Sequence, residues 1–173
     1  MFDQQVEADL SPQACEWVRN FGLIAHPEGG FFSEVYRAEG IIPAEALPGH
    51  GGARSYLSSI YFMLPPGEVS RFHRLKSDEI WYHHAGGCLS IHQIDHEGRH
   101  SVFKLGRNFA AGERLQVVIK AGNWFGAVVE SGEEVLVGCA VAPGFDYSDF
   151  ELAKCHELLE AYPALEQLIC KLT

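Results

Sequence analysis

The sequence is poor in positive charge and has no long apolar run. Its 173 residues include 13 Lys and Arg against 23 Asp and Glu, and the formal net charge is −10. Proteins that bind nucleic acid or anionic membranes use a basic patch to neutralise phosphates, so neither partner is expected. No stretch approaches the ~20 apolar residues that a membrane-spanning helix requires.

Paired cysteines and an export signal are missing as well. The N-terminal residues Met1–Glu7 contain neither the basic region nor the apolar region of a signal peptide. No Cys-x-x-Cys pair occurs, so we expect reduced thiols in a cytoplasmic protein, not disulfides or a metal cluster. The five scattered cysteines are Cys15, Cys88, Cys139, Cys155 and Cys170.

The sequence is instead rich in short β-like segments that are separated by glycines. From residue 54 on, eight such segments recur at roughly ten-residue spacing, which predicts an all-β sandwich or small barrel and not a βαβ fold. One further strand precedes a long Gly- and Pro-containing loop at residues 38–53. The predicted strands are Phe31–Arg37, Arg54–Leu64, Val69–Arg74, Glu79–His84, Cys88–Asp95, Ser101–Leu105, Arg114–Lys120, Trp124–Glu130 and Glu134–Val141.

Helical segments are predicted on both sides of this β region. Ser11 can cap a helix at residues 11–21 that Gly22 closes. Apolar residues at helical spacing predict a second helical segment at residues 148–171, which starts at Ser148 or Asp149 and is interrupted by Pro163. We therefore expect a single domain, residues 1–173, with its barrel core at about residues 31–142.

One histidine and one carboxylate stand out within the β region. Strand alternation places Arg71, His73 and Leu75 on one face, and antiparallel pairing with the next strand would bring His73 and Glu79 onto the same interior surface. The spacing is equally compatible with a hydrogen-bonded core histidine and an exposed acid.

The segment that contains this pair resembles the first motif of the cupin superfamily, G-x5-H-x-H-x3,4-E-x6-G. Gly67, His73, Glu79 and Gly86 match, and Leu75 stands where the second histidine is expected. Of the second motif, P-x-G-x2-H, only the glycine is present, in Lys120–Phe125.

A closer resemblance extends over nearly the whole chain, to a poorly characterised bacterial and fungal branch of the cupins. It implies a double-stranded β-helix (jelly-roll) barrel with short N- and C-terminal helices. It also implies a relation to the RmlC-like sugar-nucleotide epimerases and a homodimer, but it brings no settled activity. The segments that carry it include His26–Phe32, Glu34–Arg37, Ile60–Phe62, Ser77–Trp81, Ala121–Trp124 and Val141–Asp146.

A cupin metal is normally held by three histidines and one glutamate, and here only His73 and Glu79 remain. Two ligands make a poor site, so no cofactor is assigned. A divalent transition metal is the alternative, with Gln116, His83 or His84 as substitute ligands, and it would make the protein a metal-dependent oxygenase or isomerase.

Without a metal, His73 is a candidate general base, because an imidazole titrates near neutrality. Glu79 could orient its ring, and Tyr36 or Tyr61 could supply the opposing acid. This arrangement resembles the epimerases, where a histidine removes a proton next to a carbonyl. Core packing is the alternative role for each tyrosine.

Other residues are candidates for ligand binding. Arginines can donate bidentate hydrogen bonds to a carboxylate or phosphate, and tryptophans can wall an apolar pocket, although surface ion pairs and core packing explain them equally well. Glu28, Glu34 and Gln116 are candidates because of the motifs that contain them. The full set is Arg37, Arg54, Arg71, Trp81, Trp124, Glu28, Glu34 and Gln116.

These observations lead to one preferred function and two alternatives. We expect a small-molecule-binding cupin, a metal-independent isomerase or epimerase of a carbohydrate-like carbonyl compound. The alternatives are the metal-dependent enzyme and a non-catalytic ligand-binding or structural dimer.

Overall fold

The computed structural model describes residues 10–130 and 132–173. The N-terminal segment used above to argue against an export signal lies outside these ranges. Within them, no helix is both long and apolar enough to cross a membrane. The helices are α1 (Pro12–Phe21), α2 (Cys155–Ala161) and α3 (Glu166–Leu172). The strands are β1 (Ile24–Ala25), β2 (Phe31–Arg37), β3 (Ile41–Ile42), β4 (Arg54–Ser55), β5 (Ser58–Leu64), β6 (Val69–Leu75), β7 (Asp78–Gly86), β8 (Leu89–Ile94), β9 (His100–Leu105), β10 (Gln116–Ile119), β11 (Trp124–Val129), β12 (Val135–Ala142) and β13 (Phe150–Leu152).

Two antiparallel sheets form the body of the protein. The larger has the order β1-β2-β5-β12-β7-β10, and the other has the order β13-β6-β11-β8-β9. Strands distant in sequence lie side by side, as β12 does between β5 and β7. The strands and their order confirm the predicted all-β jelly-roll barrel with short helices at both ends.

The space between the sheets is filled by apolar side chains at one end. These residues come from both sheets, because alternate side chains on each strand point inward. Burying a large apolar side chain contributes roughly 1.5–3 kcal/mol. The inner cluster includes Phe62, Leu64, Trp81, Leu89, Ile91, Leu105, Phe125 and Val137.

Helix α1 covers the outer face of the larger sheet. Ser11 accepts a hydrogen bond from the Ala14 N–H at 3.0 Å, and Gly22 ends the helix with φ +62°. Ala14 and Val18 pack with Leu23 and with other residues of the sheet. Ser11 and Gly22 therefore cap helix α1 as the sequence predicted.

The C-terminal region differs from the prediction of a helical segment over residues 148–171. Residues Phe150–Leu152 form the edge strand β13, which pairs with β6, and helix α2 begins only at Cys155. Tertiary pairing with β6 overrides a helical pattern that was only a few residues long here. Beyond it, α2 and α3 cover the outer face of the smaller sheet with Leu158, Ile169 and Leu172, and the break at Pro163 is where it was predicted.

The predicted pairing of the two motif strands is wrong. β6 pairs with β11 and β13, whereas β7 pairs with β12 and β10, so the two strands belong to different sheets. His73 and Glu79 nevertheless line the same interior cavity, because each strand has one face toward the interior of the barrel.

Candidate functional site

The end of the barrel that apolar side chains do not fill contains a cavity of about 300 Å³. Its inner part is lined by His26, Glu28, His73 and Glu79, and its walls are largely aromatic and aliphatic. Volumes of this size are at the lower end of those found for small-molecule sites. The wall residues are Phe32, Ile60, Phe62, Leu75, Trp81, Val141 and Phe150.

The histidine of the motif is paired with a glutamate that precedes it by many residues. His73 Nε2 lies 3.1 Å from Glu28 Oε2, and both side chains are buried. His73 Nδ1 lies 2.8 Å from the carbonyl oxygen of Arg71. Since a carbonyl oxygen can only accept, Nδ1 carries a proton, and in the neutral ring Nε2 presents a lone pair to Glu28.

The position of Glu28 depends on the tight turn at residues 26–30. The Arg71 N–H donates to the Glu28 carbonyl at 2.9 Å, and the Gly30 N–H donates to Glu68 Oε2 at 3.0 Å. Gly29 has φ +109°, and a Cβ there would stand 2.2 Å from the Val69 carbonyl oxygen. Glycine at this position therefore lets the turn lie against β6 and directs Glu28 into the barrel.

A bulge in β6 decides which side chains join Glu28. Phe125 pairs with His73 and Ala127 pairs with Ser70, so two residues of β6 stand opposite the single residue Gly126. Ser70 and His73 therefore share the inner face, and the alternation expected from sequence does not hold across the strand. Ser70 Oγ donates to Glu28 Oε1 at 2.7 Å.

Burial sets the protonation of this group. Desolvation raises the pKa of Glu28 to about 7, against the opposing effects of His26, Ser70 and Arg71. Desolvation also lowers the pKa of His73 to about 4, with the Arg71 carbonyl opposing it. The pKa of His26 is lowered for the same first reason. A proton held by the Glu28–His73 pair therefore resides on the carboxyl.

Glu79 lies in the same cavity but makes no ion pair with His73 among the described residues. Desolvation and then the charge of Glu28 raise the pKa of Glu79 to about 8. The Trp81 indole and the Cys139 thiol lie close enough to oppose that rise. Among the described residues, neither Glu79 Oε2 nor Trp81 Nε1 has a partner with hydrogen-bond geometry, although both atoms are buried.

Charged residues surround the mouth of the cavity. Arg37 binds Glu34 through two hydrogen bonds of 3.1 and 2.6 Å, and its Nη1 donates to the Phe145 carbonyl at 2.9 Å. Asp146 and Tyr147 complete the rim and are exposed to solvent.

Six of the twelve candidate residues lie at this cavity. They are His73, Glu79, Glu28, Glu34, Arg37 and Trp81. Glu28, which was a candidate only because of its motif, occupies the place beside His73 that the sequence suggested for Glu79.

The two candidate tyrosines lie elsewhere. Tyr36 is 56% exposed, and Tyr61 packs against Phe21 and His84 on the side of β5 that faces α1. The structure therefore does not bring either hydroxyl together with His73.

The remaining four candidates have structural contacts. Arg54 forms a buried ion pair with Asp149 at 2.7 Å, and Arg71 donates to the Pro27 carbonyl. Gln116 is exposed on β10, and Trp124 lies under the Arg74 guanidinium at 4.4 Å.

Several cavity residues were not singled out from the sequence. His26 was assigned only to a turn, although it stands two residues before Glu28 in a segment already recognised as characteristic. Ser70 does not line the cavity but donates to Glu28; it needs the bulge to face inward, and no sequence signal marks it. The others are Phe32, Ser58, Ile60, Phe62, Cys139, Val141, Phe145, Asp146, Tyr147 and Phe150.

The donor set does not fit the metal centre that the cupin fold usually carries. Leu75 and Phe125 replace two ligands, and Nε2 of His73 faces the Glu28 carboxyl. The described residues contain no group of three or more His, Cys, Asp or Glu side chains arranged to hold a metal ion. The proposed substitutes do not help, because Gln116, His83 and His84 do not line the cavity.

Comparisons with known proteins agree with this fold. A Shewanella oneidensis protein of known crystal structure superposes with a TM-score of 0.83 at 42% identity, over 91% of this chain and 95% of that one. A hypothetical protein from Leishmania major gives a TM-score of 0.83 at 35% identity, over 92% and 98% of the two chains. An uncharacterised protein of Saccharomyces cerevisiae is 27% identical over 155 residues, which are 83% of this chain and 76% of the yeast protein.

A more distant likeness shows the fold alone. Oxalate decarboxylase of Bacillus subtilis superposes with a TM-score of 0.54 at 16% identity, over 86% of this chain and 37% of the decarboxylase. The family model described as Cupin superfamily (DUF985) matches residues 15–153. With the barrel, the motif and this match in agreement, the chain belongs to that cupin family.

Proposed function

We propose that this cupin is a metal-independent isomerase or epimerase that moves a proton on a small carbonyl compound inside the barrel. The observation that carries the proposal is the buried contact of 3.1 Å between Glu28 Oε2 and His73 Nε2 at the base of the cavity. A second buried carboxyl, Glu79, lines the same cavity.

Glu28 is the better base of the pair. The pKa of Glu28, about 7, lies near neutrality, whereas the pKa of His73, about 4, makes the imidazole weakly basic. A general base is most effective when its pKa is close to the working pH. His73 then acts as a positioning residue, since its fixed ring accepts a hydrogen bond from the Glu28 carboxyl once that carboxyl is protonated.

Glu79 supplies the complementary acid. A pKa of about 8 keeps this carboxyl protonated at neutral pH, so that it can donate to a carbonyl oxygen. A pair of carboxyl groups of which one is ionised while the other is protonated is a recurrent solution for acid–base catalysis.

The reaction balances without a redox partner. The Glu28 carboxylate removes the proton from the carbon next to the carbonyl, and the C–H electron pair forms the enol double bond. The carbonyl oxygen takes the Glu79 proton as its π bond breaks. For isomerisation, Glu28 gives its proton to the former carbonyl carbon, and the hydroxyl on the deprotonated carbon gives its proton to the Glu79 carboxylate as the new C=O bond forms. For epimerisation, the enol turns over in the cavity so that Glu28 returns its proton to the opposite face of the same carbon, and the enol hydroxyl returns its proton to Glu79.

Proton exchange in D₂O tests this proposal directly. We expect the protein to introduce deuterium next to the carbonyl of uncharged hydroxy aldehydes or hydroxy ketones, followed by NMR. Glu28→Gln removes the base and should lower the rate about 10²–10⁴-fold. The rate should require ionised Glu28, which faces His26, Ser70, Arg71 and His73, and protonated Glu79, which faces Glu28 and Cys139. It should therefore peak between pH about 7 and about 8.

Tyr36→Phe is the matched control, because Tyr36 is exposed outside the cavity, and its exchange rate should equal that of the wild type. Equal exchange by wild type and Glu28→Gln would contradict the proposal. Binding without exchange would favour a non-catalytic ligand-binding cupin, and exchange that depends on stoichiometric metal would favour the metal-dependent enzyme.

A further inference from the structure

Two polar atoms in the cavity lack partners. Trp81 Nε1 and Glu79 Oε2 are buried, and neither has a partner with hydrogen-bond geometry in the part of the chain that the structure describes. Trp81 and Glu79 are only 1% and 6% exposed, and both line the cavity. An unsatisfied buried polar group costs free energy that a ligand atom of complementary character recovers.

A ligand oxygen could form hydrogen bonds with both of these atoms. The indole N–H can only donate, and a protonated carboxyl donates one hydrogen bond and accepts others. Trp81 and Glu79 stand two residues apart on β7, whose alternate side chains point the same way. A carbonyl or hydroxyl oxygen can accept from Trp81 and also exchange a hydrogen bond with Glu79.

The cavity offers no free positive charge to an anion. Of the lining residues that the structure describes, Arg37 is the single Lys or Arg, and the Glu34 carboxylate is bound to it at 2.6 Å. Four carboxyl groups, of Glu28, Glu34, Glu79 and Asp146, line the same space. A carboxylate or phosphate would therefore lose its hydration without gaining a cation.

The volume limits the size of the ligand. At the ~30 Å³ that one water occupies in the liquid, 300 Å³ corresponds to about ten non-hydrogen atoms. The aromatic rings of Phe32, Phe62 and Phe150 offer apolar surface to the carbon skeleton of such a molecule.

We propose that the cavity selects an uncharged polyhydroxy compound of about ten non-hydrogen atoms, with one carbonyl or hydroxyl oxygen held by Trp81 Nε1 and Glu79. This inference deepens the proposed function and rests on it for the identity of the reacting site. It excludes sugar acids and sugar phosphates as preferred ligands, because the described lining residues offer an anion several carboxyl groups and no free cation.

Ligand-observed NMR with three pools of probes tests the selection. All compounds have roughly four to six carbons. The first pool contains uncharged aldoses, ketoses and polyols, the second contains the corresponding sugar acids, and the third contains the corresponding amino polyols. Saturation transfer from the wild-type protein should reach members of the first pool and not the sugar acids. Tighter binding of a sugar acid, or silence of the uncharged pool, would overturn the proposal, and tighter binding of an amino polyol would overturn the selection of an uncharged ligand.

Variants then locate the contact on the tightest polyol. Trp81→Phe keeps an aromatic ring but removes the N–H and should weaken binding about tenfold. Phe125→Leu, which alters packing against Trp81 without removing a donor, should retain the wild-type affinity within about threefold. Equal losses in the two variants would show that packing, not the indole N–H, determines affinity.

Glu79→Gln separates this inference from the proposed function. Gln remains uncharged and hydrogen-bonding, so polyol affinity should stay within about threefold, while deuterium exchange should be lost. A polyol has no acidic C–H next to a carbonyl, so its binding does not depend on turnover. Binding without exchange would reject only the reaction, whereas exchange without the expected charge selection would reject only the ligand class.

Discussion

Burial controls the charge of the residues at the base of the cavity. Glu28, His73 and Glu79 are each at most 6% exposed, and desolvation is the first cause of the pKa shift at all three. The inner carboxyl groups therefore exchange protons near neutral pH, which suits proton transfer.

The pH dependence of stability should reveal the penalty for ionising Glu79. The folded pKa of about 8 exceeds the value of 4.5 for the free group, so the folded chain binds an extra proton between these values. Stability attributable to Glu79 is fully present below about pH 4.5 and is lost as the pH rises towards 8. Because Gln does not titrate, Glu79→Gln should gain a few kcal/mol relative to wild type across this window.

Urea unfolding at about pH 5 and about pH 8 measures this difference. The neighbours that face Glu79, Glu28 and Cys139, are unchanged in the variant. Glu160→Gln at an exposed position of α2 gives the baseline. A pH-independent difference between wild type and Glu79→Gln would contradict a raised pKa.

At the scale of the elements, two local irregularities build the site. The bulge in β6 turns Ser70 and His73 to the same face, and the turn at residues 26–30 brings Glu28 beside them. The group Glu28, Ser70 and His73 comes from the turn and from β6 together. The sequence prediction treated β6 and β7 as adjacent strands and therefore gave His73 the wrong partner, Glu79.

A buried ion pair anchors the segment that forms the cavity rim. Arg54 donates two hydrogen bonds to Asp149, at 2.7 and 2.8 Å, and further bonds to the Ser148 hydroxyl and the His50 carbonyl. Asp149 stands next to Phe150, which lines the cavity. The pair thus connects β4 to the start of β13.

Breaking this pair should destabilise the rim. Asp149→Leu leaves the Arg54 charge buried without its partner and should lower the free energy of unfolding by about 3–5 kcal/mol. Glu151→Leu removes an exposed partner of Arg74 from strand β13, two residues after Asp149, and should cost less than about 1 kcal/mol. Urea unfolding gives the two values, and hydrogen exchange should show faster exchange at residues 145–150 in Asp149→Leu only. Similar effects of both substitutions would contradict an anchoring role.

At the scale of the whole molecule, the two sheets are covered on their outer faces by helices. Helix α1 packs on the larger sheet, and α2 and α3 pack on the smaller one. This cover leaves the barrel interior for a packed cluster at one end and the cavity at the other. The C-terminal helices therefore belong to the folded core of the domain.

Ile169→Ala tests this role of the C-terminal region. Ile169 is fully buried against the smaller sheet, and truncation to Ala should cost about 2–5 kcal/mol through lost burial and a residual cavity. Val102→Ala on β9 removes an apolar side chain that is 46% exposed and should cost less than about 1 kcal/mol. Chemical denaturation of both variants distinguishes a core position from an exposed one, and equal costs would contradict the assignment.

The local patterns of the sequence determined most of the fold. Ser11 and Gly22 marked the ends of α1, alternation and glycine punctuation marked the strands of the barrel, and the motif segments indicated a jelly roll. These features depend on neighbouring residues, whose conformational preferences and hydrogen bonds act over a few positions. His73 and Glu79 could be singled out as candidates for the same reason, since their spacing lies within one short motif.

Tertiary structure alone decided how the candidates combine. The assignment of β6 and β7 to different sheets, the conversion of Phe150–Leu152 into a strand and the separation of Tyr36 and Tyr61 from His73 all depend on pairing between distant segments. The decisive contact joins Glu28 to His73, two residues separated in sequence by strands β2 to β5 and the first part of β6. Sequence spacing cannot reveal such a contact, because its energy and its effect on pKa arise only when the folded barrel excludes water.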